Sequence, residues 1–192
     1  MEPKIGVLAL QGDVEEHLAT LARLPCVPAA VKKDPDIRSC DGLIIPGGES
    51  TTIGKLIQRF ELEPAIASLH EAGRPIFGTC AGVILLAKEV VGSDQYRLGW
   101  LNATVERNAY GRQVDSFETD LDVAGAEGGP VRAVFIRAPV IRTVCEGCEV
   151  LASFGGLPVL VRQGNILGAT FHPELAGEPR IHRLLLGMCP RA

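Results

Sequence analysis

The sequence predicts an α/β fold of three layers, in which a mostly parallel, doubly wound sheet carries helices on both faces and gains added antiparallel strands. Two observations predict it. Short apolar runs alternate with amphipathic stretches over the first half of the chain, and after Gly92 the helical period gives way to short β-type runs. Strands that alternate with helices form a parallel sheet through right-handed crossovers, and functional side chains collect at its carboxyl edge.

The first half of the chain predicts three strands and three helices before its central turn. The strands cover residues 4–10, 27–31 and 42–45, which are short and apolar. The helices cover residues 13–24, 50–60 and 61–72. Asp13 is the expected N-cap of the first helix. His17 is expected at the surface of that helix, because no acidic or thiol partner is spaced to meet it.

A nucleophile is predicted in the central stretch, Gly78-Thr79-Cys80-Ala81-Gly82. An apolar run leads into it, and a helix-like stretch at residues 83–89 leads out. A strand that turns sharply into a helix between small residues exposes the central side chain, as a nucleophile elbow does. The amide of Ala81 would point toward the sulfur and favour thiolate. Cys80 is therefore a candidate nucleophile, with a buried structural cysteine as the ordinary alternative.

The second half predicts short strands around residues 103–106, 133–136, 150–154 and 157–161, a last strand at 166–171 and a closing helix at 178–188. The acidic, glycine-rich stretch 120–129 is expected to be a mobile loop. Neither a repeat nor a linker divides the chain, so we expect one domain over residues 1–192.

A glycine pair follows the third predicted strand, at the same edge as the elbow. Gly47 and Gly48 let the backbone approach a ligand closely and present an amide N–H. An oxyanion donor is the functional interpretation, and a plain turn is the alternative. The spacing of a phosphate loop is missing.

His172 and Glu174 follow the last predicted strand. Residues two apart in extended backbone share a face, so the carboxylate of Glu174 is placed to orient the imidazole. If this strand end lies beside the elbow, Cys80, His172 and Glu174 form a nucleophile, base and orienting acid. The oxyanion would then take its donors from the amides of Ala81 and Gly48.

The composition excludes several classes of partner. The chain is 46% hydrophobic and 22% charged, as expected of a globular domain. A net charge of −4, without a basic cluster, argues against nucleic acid and favours a small, uncharged or zwitterionic substrate. We recognise no signal-peptide core and no apolar run of membrane-spanning length, so we expect a cytoplasmic protein without membrane contact.

The six cysteines are expected to be reduced thiols. Cys145 and Cys148 have the spacing of a zinc or redox site, but no second pair completes four ligands. We therefore predict no metal site. A metal-binding module on this pair is an alternative that a metal assay decides.

The elbow and the His-Pro-Glu segment together resemble the class I glutamine amidotransferases, whose triad is Cys-His-Glu. Longer stretches make the chain similar, over nearly its whole length, to the family of glutaminase subunits of two-component pyridoxal 5′-phosphate synthases. These stretches are GVLALQGD, LIIPGGESTTIGKL, FGTCAGVILLAKE, ERNAYGRQVDSFE, VFIRAP and ATFHPEL. Cys145 and Cys148 depart from the resemblance, which implies a glycine-rich turn without cysteines there.

The resemblance implies hydrolysis of L-glutamine to L-glutamate and ammonia. The ammonia would pass through a tunnel to a separate (β/α)₈-barrel synthase subunit that builds the vitamin B6 cofactor, and this chain would carry no cofactor itself. The implied glutamine site consists of Gly47, Gly48, Glu49, Arg107, Ile136 and Arg137. Gln11 is implied at the contact with the synthase.

Two other functions stay open at this point. In the first, the chain is another class I amidotransferase subunit that feeds ammonia to a different synthase. Identifying the protein that co-purifies with the chain would separate these two functions. Alternatively, it is a non-catalytic, stress-related member of the same architecture whose elbow cysteine senses oxidants. Loss of glutaminase activity in a Cys80→Ala variant favours the triad over this last function.

Overall fold

The computed structural model describes residues 2–107 and 116–190. The strands found in these ranges are β1 (Lys4–Leu8), β2 (Val27–Val31), β3 (Gly42–Ile45), β4 (Ile76–Thr79), β5 (Ala87–Val90), β6 (Leu101–Glu106), β7 (Ser116–Leu121), β8 (Val131–Ile136), β9 (Val140–Val144), β10 (Glu149–Phe154), β11 (Leu157–Gln163) and β12 (Ile166–Ala169). The helices are α1 (Val14–Leu21), α2 (Asp34–Arg38), α3 (Ser50–Arg59), α4 (Glu63–Glu71), α5 (Ala81–Leu86) and α6 (Pro179–Gly187).

The central sheet has seven strands in the order β10-β11-β12-β4-β3-β1-β2. The five strands from β12 to β2 pair in parallel, whereas β10 and β11 add an antiparallel extension at one edge. Two smaller sheets, β5-β6-β9 and β7-β8, complete the arrangement. The predicted fold class, mostly parallel with added antiparallel strands, is confirmed.

The apolar strand residues are divided between two cores, one on each face of the sheet. On β3, Leu43 and Ile45 belong to a core shared with α3, α4 and α5, whereas Ile44 belongs to a second core shared with α1 and α6. The strands β3, β4 and β12 are buried along their whole length. This burial explains why they are continuous apolar runs rather than alternating ones.

Several predicted boundaries differ from the structure. The helix after Cys80 ends at Leu86, and Ala87, in extended backbone, begins β5 instead of continuing the helix. The short helix α2, which begins with Asp34-Pro35, was not predicted. In the stretch expected to be a loop, Asp120 and Leu121 instead pair with Arg132 and Val131 of β8. No helix within the described ranges is both long and apolar enough to cross a membrane.

Candidate active site

Three strand ends meet at one edge of the sheet. In the parallel pairing, Thr79 of β4 lies opposite Ala169 of β12, and Ile45 of β3 lies opposite Gly78. The Cys80 amide continues this ladder by donating to the carbonyl of Ala169 at 2.8 Å. The segments that follow these strands, which contain the elbow, the glycine pair and the His-Pro-Glu sequence, therefore project into the same space.

The backbone at the elbow is strained. Cys80 has φ +47° and ψ −99°, a conformation that is rare for a residue with a side chain. Glycine is needed on both sides of it. A Cβ at Gly82 would lie 2.1 Å from the carbonyl oxygen of Ile45, and one at Gly78 would lie 2.5 Å from the carbonyl carbon of Gly82. The small residues let α5 start directly against β3 and β4, with Cys80 at the corner.

The three residues of the predicted triad are brought together and buried. Cys80 is 8% exposed, and His172 and Glu174 are each 4% exposed. Nδ1 of His172 lies 2.7 Å from Oε1 of Glu174. Because an ionised carboxylate only accepts, Nδ1 carries the proton. The Cys80 side chain interacts with the imidazole, and its thiol lies 3.9 Å from the carbonyl oxygen of Ile136. The arrangement can hold an imidazolium beside a thiolate.

The electrostatics of His172 favour its charged form. Burial by itself would lower the pKa of His172, but hydrogen bonds with Asp13, Cys80 and Glu174 raise the pKa to about 12. Burial raises the pKa of Glu174, an effect that the neighbouring His172 opposes. The pair is therefore an imidazolium held by a buried carboxylate.

A second carboxylate, which the sequence did not assign to the site, also reaches His172. Oδ2 of Asp13 lies 3.2 Å from Nδ1 of His172, and the Asp13 side chain makes no capping hydrogen bond to α1. Asp13 therefore occupies the predicted N-cap position of α1, but its carboxylate turns to His172 instead of capping the helix. Its position in the turn between β1 and α1, at the carboxyl edge of the sheet, is the signal that would have identified its place in the site.

One possible metal site is formed by the same carboxylates. Ligand atoms of Asp13, His172 and Glu174 lie within 4.8 Å of one another, a spacing that a metal ion would accept. In this structure Nδ1 of His172 instead faces both carboxylates as a hydrogen-bond donor.

The glycine pair lies in close contact with both His172 and Gln11. A Cβ at Gly47 would approach Cε1 of His172 to 2.4 Å. A Cβ at Gly48, whose φ is +148°, would approach Oε1 of Gln11 to 2.6 Å. That oxygen accepts a hydrogen bond from the Glu49 amide at 2.7 Å, so Gln11 is attached to the glycine loop in the isolated chain. Its predicted role at a partner contact stays a prediction.

A charged pair forms the other side of the site. Oε1 of Glu49 lies 3.0 Å from Nη2 of Arg107, whose Nη1 donates to Oε1 of Gln95 at 2.9 Å. Burial alone would raise the pKa of Glu49, but hydrogen bonds from Thr51 and Thr52 lower it to about 2. Glu49 is therefore anionic, and the pair offers one negative and one positive group to a zwitterion.

A cavity of about 400 Å³ lies between the triad and this pair. The predicted residues that line it are Gln11, Gly48, Glu49, Cys80, Ala81, Arg107, Ile136, Arg137 and His172. Gly47 and Glu174 lie behind the wall, against His172. Ser50, Pro139 and Leu175 also line the cavity; they lie within the motifs quoted above but were not predicted as site residues. The volume suits a small molecule.

Three other predicted side chains lie outside the cavity. His17 is completely buried and contacts Thr79 and His182, so its predicted surface location is wrong. The partner that explains its burial is His182 of the last helix, which is distant in the sequence. Cys145 is exposed and Cys148 is half-buried, both as free thiols in the turn between β9 and β10, and neither lines the cavity.

The chain is similar to known glutamine amidotransferases over nearly its whole length. Residues 7–191 match the SNO glutamine amidotransferase family. The chain is 53% identical over 186 residues to "Pyridoxal 5′-phosphate synthase subunit PdxT" of Frankia alni, covering 96% of this chain and 94% of that protein. It is 55% identical over 188 residues to a protein of the same description from Thermus thermophilus, covering 97% of each.

Solved structures agree with these relatives. A crystal structure described as a glutamine amidotransferase is 53% identical and has a TM-score of 0.89, covering 96% of this chain and 97% of its own. A putative GMP synthase component from Thermoplasma acidophilum has a TM-score of 0.69 at 18% identity, covering 98% of this chain and 94% of its own. The second likeness shows the fold alone.

Proposed function

The chain belongs to the SNO glutamine amidotransferase family, and from this we propose that it is the glutaminase subunit of a pyridoxal 5′-phosphate synthase. It hydrolyses L-glutamine to L-glutamate and ammonia, and the ammonia passes to the synthase subunit. The observation that supports this most is that Cys80 and His172 line one wall of the cavity, with Glu174 hydrogen-bonded to His172 behind it. The relatives' common description supports this synthase over a different acceptor of ammonia.

Glutamine enters the cavity with its amino-acid head group toward the charged pair. Arg107 binds the α-carboxylate, and Glu49 accepts from the α-ammonium. Ile136 contributes its backbone and Arg137 its position at the cavity wall, where its φ of +42° turns the chain. The side-chain amide then reaches the Cys80 sulfur.

The first half of the reaction forms a thioester. His172 takes the proton of the Cys80 thiol and becomes the imidazolium, and the thiolate attacks the amide carbon of glutamine. The negative oxygen of the tetrahedral intermediate accepts from the amides of Ala81 and Gly48, and each such donor is typically worth about 3 kcal/mol of barrier. The imidazolium gives its proton to the departing nitrogen, which leaves as ammonia.

Water completes the cycle. His172 accepts a proton from a water molecule that attacks the thioester carbon, and the Cys80 thiolate leaves. Glu174 keeps the imidazole oriented through both steps, with Nε2 toward the sulfur. The products are L-glutamate and the regenerated enzyme.

The ammonia must reach its acceptor before it escapes to solvent. The partner is a synthase subunit of (β/α)₈-barrel architecture, with Gln11 at the contact. Gln11 also holds the amide of Glu49 beside the glycine pair, so docking there would act directly on the oxyanion donor. A Gly47-Gly48 peptide that turns its N–H inward only when the synthase docks would prevent idle hydrolysis. The expected location of the complex is the cytoplasm.

The decisive experiment measures ammonia release from L-glutamine by this chain, alone and with the purified barrel subunit from the same organism. We expect release that depends on Cys80 and increases several-fold when the synthase is present. Glutamate must appear in equal amount. Release no faster than that of the Cys80→Ala variant in the complex would overturn the proposed function, and equal rates with and without the synthase would overturn the docking switch.

A further inference from the structure

Two histidines without a part in the mechanism above lie buried behind the triad. His17 of α1 and His182 of α6 are both 0% exposed, and Nδ1 of His17 lies 2.9 Å from Nε2 of His182. On its other side, Nε2 of His17 lies 3.1 Å from Oγ1 of Thr79, the residue before the nucleophile. The same nitrogen lies 3.5 Å from Oε1 of Glu174. The two imidazoles therefore link the last helix to the carboxylate of the triad.

The contact between His17 and Glu174 is not an ion pair. Burial, together with the neighbouring His182 and His172, lowers the pKa of His17 well below its usual value. Burial also lowers the pKa of His182, to about 4. Both imidazoles are neutral near neutral pH, so each ring carries one N–H. Which nitrogen of His17 carries the proton decides whether an N–H or a lone pair faces the Glu174 carboxylate.

The geometry favours a proton on Nε2 of His17. With the proton there, Nε2–H faces Thr79 Oγ1 and the Glu174 carboxylate, and Nδ1 accepts from Nε2–H of His182. With the proton on Nδ1, the bare lone pair of Nε2 would face a carboxylate oxygen at 3.5 Å, which is repulsive. Either arrangement leaves Nδ1 of His182 without a hydrogen-bond partner among the described residues. The contact between His17 and Glu174 therefore decides between the two tautomers.

Glu174 has few other groups to stabilise its charge. Its Oε1 faces His172 at 2.7 Å, whereas its Oε2 is buried and has no hydrogen-bond partner in the described part of the chain. An N–H directed at a buried carboxylate favours the ionised form and fixes which oxygen faces the imidazole. His17 supplies that N–H: its Nε2 lies 3.5 Å from Oε1, the same oxygen that faces His172.

We propose that His17, aligned by His182, is a positioning residue of the glutaminase reaction: its Nε2–H holds Glu174 ionised and oriented toward His172. The inference rests on the proposed function. A packing role alone would not need polar rings here. Burying two imidazoles costs desolvation, and the neighbouring Phe77, edge-on to both rings, shows that the space is otherwise apolar.

Several ionisable groups surround this link. On the cavity side they are Asp13, Cys80 and His172, and on the inner side they are His17, His182 and Glu178. The acid limb of a pH profile reports the protonation of this coupled set rather than of one residue. A shift of that limb on changing His17 is still informative, because His17 itself remains neutral.

The test compares His17→Phe, which keeps a planar ring without nitrogen, with His17→Gln, which keeps an N–H within reach of the Nε2 position. Thr20→Val is the matched control, since Thr20 is buried on the same helix and, among the described residues, its hydroxyl donates only to the Glu16 carbonyl. For each variant, kcat and KM for glutamine are measured from pH 5 to 9 in complex with the synthase.

We expect His17→Phe to lower kcat about tenfold or more, as supporting hydrogen bonds to catalytic groups commonly do. KM should change less than about twofold, because His17 does not line the cavity. The acid limb should move upward by about half a pH unit. His17→Gln should recover most of the loss, and Thr20→Val should match the unmodified chain.

A second readout does not depend on glutaminase activity. The rate at which iodoacetamide alkylates Cys80, followed by peptide mass spectrometry against pH, reports the thiolate in the free chain. We expect its midpoint to move upward in His17→Phe and to return in His17→Gln. If the unmodified complex releases no ammonia, the proposed function fails while this measurement still tests the link.

Two outcomes would overturn the inference. One is a set of folded His17 variants with the rates, pH profiles and alkylation midpoints of the unmodified chain. The other is an equal loss of rate in His17→Phe, His17→Gln and Thr20→Val without any change of pH profile, which indicates a packing role alone. If thermal unfolding shows that His17→Phe does not fold, His17→Gln is compared with Thr20→Val instead. Equal rates and unshifted pH profiles in these two variants would then contradict the proposed role of His17.

Discussion

The two sides of the cavity are built differently. On the catalytic side, His172 and Glu174 are each 4% exposed, and Cys80 is fixed by a strained backbone. On the recognition side, the Glu49 and Arg107 side chains are 46% and 32% exposed. On the proposed function, the fold thus fixes the reacting groups before substrate arrives, whereas recognition would depend on an ion pair in contact with water, which salt weakens. Substitutions on the first side should therefore change kcat, and those on the second should change KM.

The largest effect is expected from Cys80→Ala. Without the sulfur no thioester forms, so kcat should fall by at least about 10⁴-fold. Calorimetry should still detect glutamine binding, because the head group meets the recognition side. The measurement is ammonia release in the complex, with Cys145→Ala as the matched control, since Cys145 lies in an exposed turn. A Cys80→Ala variant that retains a hundredth of the activity would exclude covalent catalysis by this residue.

The next effect is expected from Gly47→Ala. The new Cβ would lie 2.4 Å from Cε1 of His172 and 2.7 Å from Oδ2 of Asp13, and the imidazole must move to accommodate it. A displacement of about 1 Å commonly costs about 100-fold in rate. We expect a loss of that order in kcat with KM nearly unchanged.

The control for this change is Gly187→Ala, whose added Cβ meets no atom within 4 Å. Its kinetics should match those of the unmodified chain. A Gly47→Ala variant with full kcat would mean that the catalytic side tolerates motion. That result would contradict the conclusion that the fold holds the catalytic side rigid.

A smaller effect is expected on the recognition side, from Arg107→Gln. Loss of the guanidinium removes the cation for the α-carboxylate, so KM for glutamine should rise about tenfold, with kcat changed less than about twofold. Raising NaCl from about 50 mM to about 500 mM should raise KM in the unmodified chain and should raise it less in the variant. A fall in kcat at constant KM would place Arg107 on the catalytic side instead.

The catalytic side was largely predictable from the sequence because its signals are local. The small residues around Cys80 specify an elbow, and Gly47 and His172 each follow an apolar run that could only be a buried strand. Parallel strands present their ends at one edge, so the meeting of these segments follows from the order of elements. The fold class was predictable for the same reason.

The second layer of the site was not predictable because it depends on packing between distant helices. His17 and His182 are 165 residues apart, and nothing local to either shows that α1 and α6 lie side by side. Asp13 has the sequence context of an N-cap. However, Gly12, at φ +106°, turns the chain at this point, and the Asp13 side chain lies against His172 instead. Contacts made only in the folded chain decided both cases.

The smallest effect concerns stability in acid and involves Glu49 again. Its pKa is lowered to about 2 in the folded chain from an ordinary value of 4.5. A lowered carboxyl pKa adds stability that is complete above pH 4.5 and is lost as the pH falls toward 2. The thermal midpoint of the unmodified chain should therefore exceed that of Glu49→Gln at about pH 6, and the two should converge between pH 4.5 and 2. Because Glu49 is half-exposed, the difference near neutral pH should stay below about 3 °C. Parallel midpoint curves over this range would show that Glu49 is no better stabilised than an ordinary surface carboxylate.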